Sequence, residues 1–223
     1  MIDEVRPAFY ALRPGGWRDY ATLLHPPYTL WHLSYVCAGA AIAPQFHLDR
    51  MLWAVAAFLL AMGVAAHALD ELRGRPLRTR IPSPVLVGLA VTSLAGAVAI
   101  GIGAAVAWGW WLLLFVGAGA VLVPAYNLEV AFHNDWGFAA AWGAFPALTG
   151  YFVEAQTLRV EALAVAAYAF AASLAQRALS TPVRRARRDD ASTAGTQPLE
   201  RALRLLTVGS VALAVALVAA RLR

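Results

Sequence analysis

Seven long apolar segments constrain this chain more strongly than any other feature. They are residues 28–46, 51–70, 83–106, 108–126, 137–155, 160–180 and 203–221. A helix needs about 20 apolar residues to cross about 30 Å of hydrocarbon, and each segment is close to that length. With 61% hydrophobic and only 14% charged residues, the chain has too few charges for a soluble domain of its size. The sequence therefore predicts an all-α, polytopic transmembrane bundle of about seven spans.

The arginines predict an orientation for this bundle. One cluster follows the second apolar segment and another follows the sixth: Arg73, Arg75, Arg78, Arg80; Arg184, Arg185, Arg187, Arg188. Both clusters fall on the N-terminal side of a seven-span topology, and short cytoplasmic loops collect basic residues. We therefore expect an integral protein of a prokaryotic inner or plasma membrane with a cytoplasmic N-terminus. A nucleic-acid partner is not expected, because the positive charge borders the membrane without a soluble domain to present it.

The predicted spans divide the chain into four parts. Residues 1–27 mix aromatic and charged side chains and are predicted to be an amphipathic segment on the cytoplasmic surface. Residues 28–180 form a six-span bundle. Residues 181–202 form an arginine-rich cytoplasmic loop that runs into a stretch of linker composition. Residues 203–223 form the last transmembrane helix.

Polar residues gather at the predicted cytoplasmic ends of the second and fourth spans. His67, Asp70 and Glu71 are related by three and four residues, so a continuous helix would present them on one face. Glu129 and His133 have the same four-residue relation if the fourth span continues as a helix. Ionisable groups at the end of a membrane helix are costly unless they meet a partner, a cation or water. The pattern predicts a binding or catalytic site, with capping and pairing to the nearby arginines as the structural alternative.

Three stretches of the chain resemble the UbiA-type membrane prenyltransferase superfamily. They are TLLHPPYTLWHLSYVCAGAAIAP, HALDELRGRPLRTRI and YNLEVAFHNDWGFAAAWGAFPALTGYF. The resemblance implies a UbiA-like helical bundle with an acid-rich motif after the second span. In that family the motif holds Mg²⁺, which bridges the diphosphate of an isoprenoid donor, and arginines help to neutralise the diphosphate. The acceptor is an aromatic ring or another prenyl chain.

The family motif, Asn-Asp, two residues, Asp, three residues, Asp, falls here on Ala66, His67, Asp70 and Gly74. Asp70 matches the motif, and Glu71 can replace a missing acid. The second family motif, two aspartates four apart after span six, is replaced by ALSTPVRRARRDD. The catalytic residues expected from this reading are Asp70, Glu71 and His67, and the expected metal ligands are Asp70, Glu71, His67, Glu129 and His133. The expected substrate-binding residues are Arg73, Arg75, Arg78, Tyr126, Asn127, Trp31 and Tyr35.

Three functions are compatible with these residues. A divergent prenyltransferase would hold Mg²⁺ on the acids and the diphosphate on the arginines, beside aromatic side chains that stabilise a carbocation. A transition-metal enzyme would bind Fe or Zn through mixed histidine and carboxylate ligands. A non-catalytic scaffold would bind an isoprenoid or a protein partner. The expected partners are an isoprenoid or other lipid small molecule and the membrane lipids themselves, and the sequence does not determine an oligomeric state.

Overall fold

The structure is a computed structural model that describes residues 6–189 and 193–223. These residues form helices, turns and irregular connections, and no β-strand occurs among them. The predicted all-α class is therefore confirmed. The first five residues of the predicted N-terminal segment and residues 190–192 of the predicted linker lie outside the described residues.

Eight helices follow one another along the described chain. They are α1 (Trp17–Leu23), α2 (Pro26–Ala41), α3 (Leu48–Leu72), α4 (Ser83–Trp108), α5 (Leu112–Asn127), α6 (135–155), α7 (Val160–Arg188) and α8 (Gln197–Arg221), and a 3₁₀ turn, Thr193–Thr196, precedes α8. Four of these, α3, α4, α7 and α8, are long and apolar enough to cross a membrane, and α5 is a shorter apolar helix. These four candidate spans make the fold compatible with an integral membrane protein.

The last two helices are longer than the apolar segments predict. α7 continues through Pro182 to Arg188, and α8 begins at Gln197 rather than at residue 203. Much of the predicted loop 181–202 is therefore helical. Arginines in the last turn of α7 complement the negative end of the helix dipole, and a proline in the first turn of α8 suits a helix start.

Two helices contain a π-helical stretch. Leu59–Ala66 interrupts α3, and Ala139–Ala144 interrupts α6. Each π turn accommodates an extra residue, and such insertions are frequent at functional sites. Because successive residues of a helix are about 100° apart, an inserted residue turns the following side chains towards a different neighbour. The direction of His67, the first residue after the π stretch in α3, depends on this insertion.

α2 packs along α6 with the two backbones in close contact. A Cβ atom added to Gly39 would overlap the backbone carbonyl of Ala147, and one added to Gly150 would overlap that of Val36. Small residues permit this approach in membrane helix bundles, where tight packing replaces the hydrophobic driving force. The contact fixes α2 against α6, the two helices that begin at the same end of the bundle.

The N-terminal segment folds back onto the loop that follows α3. Asp19 of α1 is buried, and its Oδ1 and Oδ2 accept the backbone N–H groups of Gly15 (2.9 Å) and Arg80 (3.0 Å). The hydroxyl oxygen of Thr22 accepts the backbone N–H of Leu12 at 3.0 Å. These bonds hold residues 7–10 over the end of the bundle, where they cover part of a large cavity.

Candidate functional site

A polar cavity of about 810 Å³ lies at the end of the bundle where α3, α5 and α7 end and where α2 and α6 begin. Eight arginines and two carboxylates from the described residues line it. The arginines are Arg73, Arg75, Arg78, Arg177, Arg184, Arg185, Arg187 and Arg188, and the carboxylates are Asp70 and Glu129. A concave surface with this excess of one charge concentrates ligands of the opposite sign. The cavity is therefore suited to an anion.

Most of the predicted site residues meet in this cavity. Those that line it are His67, Asp70, Arg73, Arg75, Arg78, Tyr126, Asn127, Glu129 and His133. Trp31 and Tyr35 do not line it, since both are almost completely buried in a core cluster with Ala147, Ala169 and Leu203. Glu71 does not line it either. The chain thus brings together residues that are more than 60 positions apart in the sequence.

Glu71 holds the loop after α3 in place. Its side chain is fully buried, its Oε2 accepts the backbone N–H of Leu77 at 2.9 Å, and its Oε1 accepts the backbone N–H and the hydroxyl of Thr79 at 2.9 and 2.8 Å. The loop needs this support because Arg75 and Arg78 both have φ near +54°, a region that is costly for residues other than glycine. Both carboxylate oxygens are therefore engaged in positioning the cavity arginines. Glu71 and Asp70 face different neighbours because adjacent residues of a helix are about 100° apart.

His67 stacks on His25, with ring centroids 4.0 Å apart and ring planes 13° apart. The Nδ1 of His67 lies 3.1 Å from the backbone carbonyl oxygen of Gly63. A carbonyl only accepts, so Nδ1 carries the proton and Nε2 of the neutral ring is left as an acceptor. Two stacked imidazoles repel each other when both are charged. His67 thus offers a proton-accepting nitrogen in the wall of the cavity.

The other face of this pair is closed by Tyr10. Its hydroxyl lies 2.8 Å from Nδ1 of His25. Burial, followed by the effect of neighbouring His67 and Arg184, holds the pKa of His25 well below its ordinary value. Burial likewise raises the pKa of Tyr10 well above its ordinary value. Near pH 7 both groups are therefore neutral, and the positive charge of this wall comes from the arginines.

Glu129 and His133 meet, but not on a helix. α5 continues past Pro124 and ends at Asn127, and Glu129 has φ of 55°. The helix therefore carries neither residue, because the chain turns at residues 128–134. Glu129 Oε1 lies 3.8 Å from Nε2 of His133, and its Oε2 lies 3.1 Å from Nη2 of Arg73. This ion pair joins the loop after α3 to the loop after α5.

Several cavity arginines are already engaged. Arg73 pairs with Glu129, Arg177 with Asp135 at 2.9 Å, and Arg187 with Glu200 at 2.6 Å. The side chain of Arg75 donates to the Ile81 carbonyl and to Ser83. These contacts neutralise part of the charge and position the side chains.

Arg184, Arg185 and Arg188 differ from these residues. Within the described part of the chain, their side chains form no hydrogen bond or ion pair, although Arg184 interacts electrostatically with Asp70. The sequence suggests a solvated loop for these arginines, which orients the protein. The extension of α7 to Arg188 instead places them at the cavity wall. No motif in the sequence marks them as binding residues, because their role depends on where α7 ends.

A second, apolar cavity of about 100 Å³ lies next to the polar one and shares two lining residues with it. It runs between α3, α4, α5 and α6, and its lining includes Phe58, Trp108 and Phe145. Met62 and Trp142 border both cavities. Each of these two residues belongs to one of the π-helical stretches. The irregular turns thus lie where the arginine-rich space meets the apolar space.

The donor set does not fit a metal cage built by the protein alone. Among the described residues, no group of three or more His, Cys, Asp or Glu side chains is arranged to hold a metal ion. Both oxygens of Glu71 are committed to the loop, and Glu129 is paired with Arg73. Asp70 is the remaining carboxylate in the cavity. Mg²⁺ can be held by one carboxylate together with substrate phosphates, so Asp70 fits such a shared site.

The chain matches no family model, no curated protein and no solved structure.

Proposed function

We propose that the protein is a divergent UbiA-like membrane protein that binds an isoprenoid diphosphate and transfers or converts its prenyl group. The observation that carries this proposal is that the arginine-lined cavity and the apolar cavity are neighbours and share the side chains of Met62 and Trp142 in their walls. The ligand's diphosphate would lie among the arginines, and the part of its hydrocarbon chain next to the diphosphate would extend towards the apolar cavity. An arginine-lined cavity beside an apolar cavity is suited to a ligand that has both a diphosphate and a hydrocarbon chain.

The arginines carry the recognition of the diphosphate. Guanidinium groups bind phosphate oxygens through paired, charge-assisted hydrogen bonds, and Arg184, Arg185 and Arg188 have no competing ion pair within the described residues. Mg²⁺ on Asp70 would add positive charge to the bound diphosphate. The excess positive charge of the cavity comes from arginine side chains alone. We therefore propose that the arginines, more than Mg²⁺, neutralise the negative charge of the diphosphate.

His67 supplies the group that the transfer reaction needs in addition to phosphate binding. The bond between the prenyl carbon and the diphosphate oxygen breaks, and its electron pair leaves with the diphosphate, which the arginines stabilise. The acceptor atom then bonds to the prenyl carbon, and the proton that it loses goes to Nε2 of His67. The hydrogen bond from Nδ1 of His67 to Gly63 supports this assignment, because it fixes the tautomer.

A ligand series tests the proposal. Geranylgeranyl diphosphate should stabilise the detergent-solubilised protein against heat, whereas geranylgeraniol and inorganic diphosphate should each do so much more weakly. Equal stabilisation by inorganic diphosphate would show that the apolar cavity takes no part. No stabilisation by geranylgeranyl diphosphate at saturating concentration would remove the proposal.

The non-catalytic alternative is favoured by one observation, the absence of a metal-ligand group among the described residues. It predicts the same binding of geranylgeranyl diphosphate without release of diphosphate. Diphosphate release that is lost in His67→Gln but retained in His133→Gln would decide for catalysis. Retention of full release in His67→Gln would contradict the role of His67 as the base.

The topology is part of the same proposal. We place the arginine-lined cavity on the cytoplasmic side, within a bundle of seven spans, because the arginines border it. A membrane-impermeant thiol reagent should label Asp189→Cys, but not Gln156→Cys, from the cytoplasmic side. The reverse pattern would invert the orientation.

A further inference from the structure

Four large apolar side chains are exposed in residues 128–136, which lead from α5 into α6. They are Leu128, Val130, Phe132 and Trp136, with exposed fractions of 38%, 77%, 61% and 69%. A single exposed apolar side chain is ordinary on a protein surface, whereas several together mark contact with a membrane or with another protein. We call residues 128–136 the apolar loop, and its exposed side chains require a partner.

The backbone of the apolar loop has a defined conformation. Phe132 has φ of 63°, in a region that is costly for residues other than glycine. A Cβ atom added to Gly137 would overlap the backbone carbonyl of Phe132, so the loop lies tightly against the start of α6. Oδ1 of Asn134 accepts the backbone N–H of Gly137 at 2.8 Å. These contacts fix the backbone that carries the exposed side chains.

The apolar loop lies beside α7 at the level where the apolar part of that helix ends. Residues 162–176 of α7 carry no charge, and Arg177 follows them. Trp136 packs against Phe170 with ring centroids 5.6 Å apart, and Oδ1 of Asp135 lies 2.9 Å from Nε of Arg177. Because α7 is one of the candidate spans, the change from apolar to charged residues marks the boundary between hydrocarbon and water.

The exposed apolar surface of α7 continues into the apolar loop. Leu163 is 60% exposed, and it lies on the same face of α7 as Phe170, because seven residues make about two turns of a helix. Trp136 contacts Phe170 at the end of this face. An apolar face on a helix that crosses a membrane is covered by lipid, so the lipid that covers Leu163 and Phe170 reaches Trp136 next.

The charges of the apolar loop do not favour a charged partner. Glu129 is paired with Arg73, and Asp135 is paired with Arg177. Since each acid of the loop already meets an arginine from outside it, the main interaction that the loop offers is the burial of apolar area. The interfacial region of a bilayer provides such burial, and tryptophan is enriched there.

We infer that the apolar loop inserts into the interfacial region of the bilayer beside α7. Glu129 and His133 of the loop also line the polar cavity, so the insertion sets this cavity at the depth of the lipid headgroups. The contact is made through apolar side chains, and an uncharged lipid surface of phosphatidylcholine is sufficient for it. The inference goes beyond the proposed function and does not depend on which ligand the cavity binds.

Spin labels test this contact in nanodiscs of phosphatidylcholine. Nitroxide labels are attached at Val130→Cys and at Phe132→Cys, each combined with Cys37→Ala because Cys37 is the single cysteine of the chain. In power-saturation electron paramagnetic resonance, a label in lipid collides mainly with dissolved O₂, whereas a label in water collides mainly with a water-soluble nickel chelate. Both loop labels should collide more with O₂ than with the chelate.

Two further positions are matched controls. Leu163→Cys, on the exposed apolar face of α7, should give the lipid result, and Asp189→Cys, which follows the end of α7, should give the water result. More collisions with the chelate than with O₂ at the loop labels would overturn the inference. Few collisions with either reagent would also overturn it, because that pattern indicates cover by a protein partner or a second copy of the chain. If Leu163→Cys also gave the water result, the membrane span of α7 would fail together with the inference.

Trp136→Phe gives an independent result that needs no cysteine replacement. Phosphatidylcholine that is brominated in its acyl chains quenches the fluorescence of tryptophans close to it. The intensity that this lipid quenches should be smaller in Trp136→Phe than in the wild type, because one lipid-exposed indole is missing. Equal quenched intensity in the two proteins would overturn the inference. Neither measurement uses geranylgeranyl diphosphate, so its outcome is separate from that of the ligand series.

Discussion

Replacing Glu71 by glutamine separates a structural role for this residue from a role in ligand binding. The carboxylate accepts three hydrogen bonds from Leu77 and Thr79. Glutamine keeps one acceptor oxygen for Thr79 but turns its NH₂ group towards the N–H of Leu77. Two donors then face each other in a fully buried position.

The expected cost follows from these bonds. A hydrogen bond to a charged group contributes about 1.5–3 kcal/mol, and a buried donor that is left unpaired costs about 1–3 kcal/mol. Glu71→Gln should therefore lower the free energy of unfolding by about 2–3 kcal/mol. Glu71→Ala leaves the N–H groups of Leu77 and Thr79 without this acceptor, and should cost about 4 kcal/mol by the same reasoning.

Denaturant unfolding in detergent micelles, followed by tryptophan fluorescence, measures these differences. Glu129→Gln is the matched control, because Glu129 is 47% exposed in its pair with Arg73, and exposed pairs contribute less than about 1 kcal/mol. A Glu71→Gln protein with wild-type stability that no longer binds geranylgeranyl diphosphate would refute the reasoning. That result would assign the Glu71 carboxylate to the ligand.

Three further predictions concern packing, pH and the metal. Gly150→Ala should cost about 1–3 kcal/mol of unfolding free energy because its Cβ would overlap the Val36 carbonyl, whereas Gly88→Ala, which meets no atom within 4 Å, should be neutral or stabilising in the same unfolding assay. The pKa of His25 is lowered in the folded protein, so the unfolded chain binds the proton first, and stability should fall below about pH 6.5 by up to about 1.4 kcal/mol per pH unit. The difference in unfolding free energy between pH 7.5 and pH 5.5 should be smaller in His25→Asn than in the wild type. An equal difference in the two proteins would contradict this prediction. Mg²⁺ should tighten binding of geranylgeranyl diphosphate in calorimetric titrations of the wild type but not of Asp70→Asn, and equal tightening would place the ion elsewhere.

Helices were predictable in all seven apolar segments, because a run of about 20 apolar residues favours a helix. Those cavity residues that lie at helix ends on one side of the bundle were also predictable, because the order of the apolar segments places these ends together. His67, Asp70 and Arg73 belong to this group. The close contact of α2 and α6 was not predictable, because each helix contributes a single glycine to it, Gly39 or Gly150, and the sequence alone does not pair them.

The remaining differences have local physical causes. Periodicity treats α3 as a uniform helix, whereas the π stretch changes the direction of the residues that follow it. The sequence spacing predicts that Asp70 and Glu71 belong to one site. In the structure, three donors of the loop after α3 form hydrogen bonds with the Glu71 carboxylate instead. Composition ends the sixth apolar segment at residue 180, whereas α7 continues for two more turns and brings Arg184 and Arg188 to the cavity.

The central claim is that the arginines of α7 hold the diphosphate of a prenyl ligand. The most direct test is a calorimetric titration of geranylgeranyl diphosphate into the wild type, the double variant Arg184→Ala/Arg188→Ala, and Arg221→Ala. Arg221 lies at the other end of the bundle, where it donates to the Pro44 carbonyl. We expect binding to weaken by about tenfold or more in the double variant, as for the loss of charge-assisted hydrogen bonds, and to be unchanged in Arg221→Ala. Equal affinity in all three proteins would contradict the claim.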